Sequence, residues 1–262
     1  MRRTPMVLCL ASLTAALTAQ GTARAANLSY HNGPVLVSAK AVFIFWGPSF
    51  QDPTSPDYQY ARYQISFRNQ FGTTPEYNVI TQYYENPGMV HIQLTNLGSG
   101  TPDWFDTSTP PADVTDALVQ GEVNKYLAKH AFNAAAAYEV FIPGTSYSSN
   151  GGSTSCGGPN LAYCTYHSFY SSGSNSVIYV IVPSPSCAGC QVSGLTLAQN
   201  AQLLVCHETR EAVTDPEFNG WYARNGGEAD SQCGGFPPFI GTGGFYYGWE
   251  WSNANSGCVK TR

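Results

Sequence analysis

Charge is scarce in this chain. Only 11% of its 262 residues are Asp, Glu, Lys or Arg, and the 12 basic residues are outnumbered by 17 acids. A chain with no basic patch repels phosphate backbones, which excludes nucleic acid as a partner. Long apolar runs are also missing. Met6 to Ala19 is an uncharged, largely apolar stretch, too short to span a bilayer, and no apolar run later in the chain approaches one. No cysteine lies between Cys9 and Cys156, so any disulfide framework is confined to the second half. Histidine occurs five times, which leaves few places for acid–base or metal chemistry.

What is present points to export. Arg2 and Arg3, the apolar stretch and Ala23-Arg24-Ala25 have the layout of a signal peptide over residues 1–25, with the mature chain starting at Ala26. Removing it takes Arg2, Arg3 and Arg24 from the 12 basic residues and no acid from the 17, leaving a net charge of −8. The Gly-, Ser-, Asn- and Tyr-rich remainder, residues 26–262, shows no repeat and no linker and reads as one secreted domain.

Hydrophobic patterning gives an α+β fold, a mixed β-sheet with packed helices and a Gly-rich, disulfide-stapled C-terminal region. Strands are expected at Val35 to Trp46, Tyr77 to Tyr84, Met89 to Leu94, Tyr138 to Ile142, Val177 to Val182 and Phe245 to Trp251. Helices are expected at Pro56 to Gln70, from an Asp113 cap through His130, and at Leu195 to Thr214, with residues 98–111 a loop. The last helix carries a capping box of Thr196 and Gln199, and Pro216 forces its end. The seven cysteines after residue 155 suggest local pairs, Cys156 with Cys164, Cys187 with Cys190 and Cys233 with Cys258, leaving Cys206 a buried free thiol. Cys187-Ala188-Gly189-Cys190 also has redox-pair spacing, although an exported chain favours structural bridges.

His207-Glu208-Thr209-Arg210-Glu211 falls in the last turns of that helix. Residues four apart share a face, so His207 and Glu211 can address one metal ion, while Glu208 beside them can act as general base on a water held there. This is the layout of a zincin-like active helix with glutamate as second ligand. Glu228 and Asp230, two apart on an extended segment, are the candidate downstream ligands, ahead of Glu217. An imidazole with carboxylates suits zinc; calcium becomes the better choice if acids alone hold the ion. His167 is a further ligand or catalytic acid. The plain alternatives are a solvated helix face with a Glu–Arg pair, and a hydrogen-bonded structural His167. The 17 Tyr and five Trp could line a carbohydrate-binding face, though aromatic residues also fill strand cores.

Several motifs are similar to those of the EXORDIUM (phosphate-induced protein) family. They are Tyr30-His31-Asn32-Gly33-Pro34-Val35-Leu36, Val42-Phe43-Ile44-Phe45-Trp46-Gly47, Cys164-Thr165-Tyr166-His167 and Cys187-Ala188-Gly189-Cys190. The likeness continues through His207-Glu208, Thr214-Asp215-Pro216, Asn219-Gly220-Trp221-Tyr222, Glu228 and Cys233, and as an ordered set it spans most of residues 30–258. The resemblance implies a secreted, cell-wall-associated protein linked to growth signalling, with no established enzymatic activity. Plant members lack the His-Glu pair, so its presence here implies a microbial-type member that keeps a metal site. The expected function is a secreted zinc-dependent hydrolase, a peptidase acting on protein or peptide substrates; the alternative is a non-catalytic extracellular or cell-wall component.

Mass spectrometry of the secreted protein is expected to give Ala26 as its N-terminal residue. Intact precursor retained in the cytoplasm would contradict the export reading.

Overall fold

The computed structural model describes residues 26–262; the expected signal segment lies outside the described residues. Among the described residues the fold is mixed α+β, with three α-helices and several sheets. Five strands make the central sheet: β1 (Lys40–Trp46), β2 (Trp104–Asp106), β3 (Ala136–Ile142), β4 (Tyr166–Ser172) and β5 (Asn175–Pro183). Their order is β4-β5-β3-β1-β2, parallel throughout except for β4, which runs antiparallel to β5 along one edge. The β-branched and aromatic runs of β1, β3 and β5 are apolar on both faces, as strands covered on both sides must be.

One face of the sheet packs against α1 (Pro56–Phe71) and α3 (Leu197–Thr214), the other against α2 (Asp116–Leu127). Phe43, Phe45, Phe141, Val180 and Val182 meet Phe67 and Phe71 of α1 and Ala201, Val205 and Ala212 of α3. On the far face Val42, Ile44, Tyr138, Val140 and Ile181 meet Val119, Val123 and Tyr126. Among the described residues, no helix is long and apolar enough to cross a membrane.

Several expected elements change form. Val35 to Ala39 is irregular rather than part of β1, its Leu36 N–H donating to Val213 O at the end of α3 (2.9 Å). Asn78–Gln82 is a 3₁₀ turn instead of a strand. Its polar side chains curl the backbone: Thr81 Oγ1 donates to Asn78, and Thr74 Oγ1 accepts from the Tyr77 N–H. The expected loop 98–111 contains β2, and α2 begins after Thr115, not after Asp113. Phe245 to Trp251 divides into Tyr246–Tyr247 and Glu250–Ser252, and β4 was not expected as a strand.

The row of cross-strand partners His167, Val180, Glu139 and Phe43 runs across β4, β5, β3 and β1 on the face beneath α3. Glu139 is fully buried there. Thr209 Oγ1 on α3 donates to one of its oxygens (2.9 Å) and the other has no partner. Burial pushes its pKa up to about 8, offset only in part by the Thr209 hydrogen bond. The folded protein therefore holds this proton more tightly than the unfolded chain. Its contribution to stability is greatest below the unfolded carboxyl range and is lost as pH rises toward about 8. Glu139→Gln keeps the hydrogen bond and removes the titration. Its stability relative to wild type, from denaturant melts at several pH values, is expected to rise by a few kcal/mol between pH ~4.5 and ~8, other groups cancelling in the difference. A pH-independent difference would mean that Glu139 is ionised in the fold.

Candidate metal centre

α3 presents its polar cluster because its ends are fixed. Thr196 Oγ1 accepts from the Gln199 N–H and the Gln199 side chain accepts from the Thr196 N–H, so the expected capping box is present. The helix ends at Thr214, ahead of Pro216. Asp215 Oδ1 then accepts from the Gly220 N–H (2.5 Å), returning the chain to pair Trp221–Tyr222 with Ser29–Tyr30. Gly220 is needed at this turn, since a Cβ would lie 2.5 Å from Thr214 O and 2.9 Å from Pro34 O.

The returning segment brings residues 228–233 over the last turns of α3. Glu211 Oε1 accepts from both the N–H and the hydroxyl of Ser231 (2.8 and 2.7 Å). Its Oε2 lies 3.1 Å from His207 Nε2, and His207 Nδ1 lies 3.3 Å from Asp230 Oδ1. On the sheet side, His167 Nδ1 is 3.2 Å from Glu208 Oε2, while its Nε2 faces Asp215 O (3.3 Å) and Glu228 Oε1 (3.5 Å). Phe218 covers the His167 ring at 4.9 Å between centroids. Behind the cluster, Arg210 meets Asp230 Oδ2 (2.5 Å) and Glu250 Oε2 (2.6 Å).

Two subsets therefore share Glu211. His207, Glu211 and Asp230 are together, whereas Glu228 joins His167 and Glu208 on the other side. Donor atoms of His167, Glu208 and Glu211 all lie within 4.8 Å of one another. Glu217, the lower-ranked acid, forms no part of this group. Asp215 and Glu250 are not marked as site residues by the sequence, where the Asp-Pro helix stop signals an end, and Arg210 reads there only as a partner of a glutamate on a solvated face.

The electrostatics follow from burial. Five carboxylates (Glu208, Glu211, Glu228, Asp230, Glu250) face one arginine and two imidazoles, and the Asp215 carbonyl also faces His167. Burial alone would lower the His207 pKa, but the Glu211 and Asp230 carboxylates outweigh it and hold it well above the ordinary value. For His167, burial is likewise outweighed by Glu228 and Glu208, raising it to about 10. Glu228 is raised by burial and by Glu211, and its Oε1 has no hydrogen-bond partner. Burial would raise Asp230 too, yet Arg210 and His207 hold it below the usual carboxylate range.

The disulfides are Cys156–Cys187, Cys164–Cys190 and Cys233–Cys258, which corrects two of the three expected pairings. The Cys156 and Cys187 segments lie side by side, so the bridges join one segment to the other rather than closing each on itself. Because Cys187 and Cys190 have different partners, they are not a redox pair, and the nearby cysteine sulfurs are not metal ligands. With Leu204 of α3 these four half-cystines form a cluster, while Cys233–Cys258 ties down the segment after Asp230. Comparison with family models, with curated proteins and with solved structures gives no match.

Cys206 is free and buried, and burial pushes its thiol up to about 12. Thiol titration in denaturant without reductant is expected to give one group per chain. Peptide mapping should recover Cys156 linked to Cys187 and Cys164 linked to Cys190; a Cys187–Cys190 peptide would contradict the arrangement.

Proposed function

We propose that this protein is a secreted metal-dependent hydrolase, a peptidase in the simplest case, with one divalent ion seated among His167, Glu208 and Glu211. The observation that carries this reading is the mutual approach of these three buried donors within 4.8 Å, in a pocket whose carboxylates outnumber its cations. Acids buried this closely together hold protons or take up a cation, as the raised pKa values of Glu228 and Glu250 show, and a divalent ion is the natural replacement for those protons. One imidazole with carboxylates fits zinc better than calcium, and Glu228, with its unpartnered oxygen near His167, is a further donor. Three disulfides favour an oxidising compartment. The likeness to the EXORDIUM family fits an extracellular site of action.

A divalent ion at this position supplies Lewis acidity to a substrate carbonyl. The chain's own groups then divide the remaining work. His207 and Glu228, with side chains 24% and 17% exposed, form the mouth through which a substrate approaches. His207, held between Glu211 and Asp230, can carry a proton between the pocket and the reacting group. Phe218 shields His167 from water. A second arrangement of the same residues puts the ion on His207 and Glu211, with Glu208 as general base; the hydrogen bond between His167 and Glu208 and the spacing of the trio favour the first.

A non-catalytic reading is favoured by one observation, the near-complete burial of His167, Glu208 and Glu211 at 3–4% exposure. A structural ion or polar cluster in a cell-wall-associated binding or signalling protein would need no wider mouth.

Metal analysis of the purified mature protein is expected to give one zinc per chain. His167→Ala and Glu208→Gln should abolish binding. His207→Gln should retain the metal but lower hydrolysis of a peptide library by ~10²–10⁴-fold, the range of general acid–base catalysis. Loss of metal in His207→Gln with retention in Glu208→Gln would move the ion to the second arrangement. A metal-loaded wild type that cleaves no peptide leaves the non-catalytic reading, and a metal-free one sinks the proposal.

A further inference from the structure

Arg210 is the one charged side chain of the cluster that neither offers a donor to a metal nor reaches solvent. It is 0% exposed, on the same helix as His207 and Glu211. Its guanidinium meets Asp230 Oδ2 through Nε and Nη2 and lies 2.6 Å from Glu250 Oε2. Nη2 also donates to Gly248 O (3.3 Å). The backbone at Gly248 fits closely against this group, since a Cβ there would lie 3.4 Å from Asp230 Oδ1 and 3.5 Å from Arg210 Nη2.

A buried arginine with two acids is seldom a net source of stability, because desolvation consumes most of the Coulombic gain and a packed apolar trio commonly does as well. Its geometry suggests what it does instead. Arg210 holds one oxygen of Asp230, and the other oxygen faces His207 Nδ1 at 3.3 Å. With that nitrogen committed, His207 Nε2 is directed at Glu211 Oε2, 3.1 Å away. Carboxylates that hold one nitrogen of a functional histidine fix which way the ring faces, and a rigid planar fork fixes the carboxylate better than an ammonium does.

We infer that Arg210 is a positioning residue, which through Asp230 sets the orientation of the His207 ring toward Glu211. The inference rests on the role proposed for His207 and makes a separate claim about geometry. A strut that only tied residues 230–250 to α3 would contribute to stability and leave the ring untouched.

Arg210→Lys keeps the charge and loses the fork, and Asp230→Asn keeps the arginine and alters the group facing His207. Nuclear magnetic resonance of wild type is expected to show a slowly exchanging His207 Nδ1 proton, lost in both variants while circular dichroism is unchanged. In the metal-loaded protein both should lower kcat on a cleaved peptide about 10–100-fold with little change in KM, the usual scale for groups that orient a functional histidine. If Arg210→Lys does not fold, Asp230→Asn decides. Variants that keep the Nδ1 signal and wild-type kcat, and differ only in melting temperature, would make Arg210 a strut and overturn the inference. A wild type that hydrolyses nothing removes the proposed function, yet the Nδ1 signal still decides for or against Arg210.

Discussion

The constraint on which the rest of the structure depends is the burial of a dense cluster of ionisable side chains, mostly acids, between α3 and the sheet. Carboxylates leave water only when donors and cations meet them. Every nearby element is arranged to supply these. Edge strand β4 delivers His167, α3 delivers His207 and Arg210, and Ser231 gives Glu211 two donors. Even so, Glu228 Oε1 and Glu250 Oε1 lack hydrogen-bond partners. The protein alone does not fully satisfy the cluster, which is the physical ground for seeking a cation there.

Such a pocket costs stability, and its surroundings are correspondingly braced. Two disulfides pack on Leu204 of α3, one of them through Cys164 just before β4, and a third fixes the segment after Asp230. Each bridge of this loop length contributes ~3 kcal/mol by restricting the unfolded chain. The capping box at the far end of α3 contributes about 1 kcal/mol more. These devices are local to the segments that carry the polar cluster, whereas the far face, with α2, relies on apolar packing.

What the sequence revealed follows the range of each signal. Periodicity and capping are local, so α3, its capping box and its proline stop were readable, as were β1, β3 and β5 from their β-branched runs. β4 was not, because Tyr166–Ser172 is rich in serine and half exposed at the sheet edge, with none of the apolar continuity of a central strand. Without that strand, His167 had no visible partner. The disulfide pairing was illegible for a similar reason. Cys164 and Cys190 meet because two loops run side by side, which no spacing within either loop encodes. Arg210 looked like an exposed helix residue paired with a glutamate; only the returning segment 228–250 shows that it is enclosed.

The same limit bears on how the His-Glu-x-x-Glu spacing is read. On an isolated helix, His207 and Glu211 form a ligand face and Glu208 is turned about 100° away. That geometry lets Glu208 act as general base on a water held by the other two, and says nothing of any other element that approaches it. In the folded chain another element does: β4 places His167 against Glu208, while Asp230 claims the second nitrogen of His207. Each histidine is then flanked by two acids, and Glu211 stands between them. A helical motif defines which residues can converge. The neighbouring strand and the arginine behind it determine which of those side chains come close together.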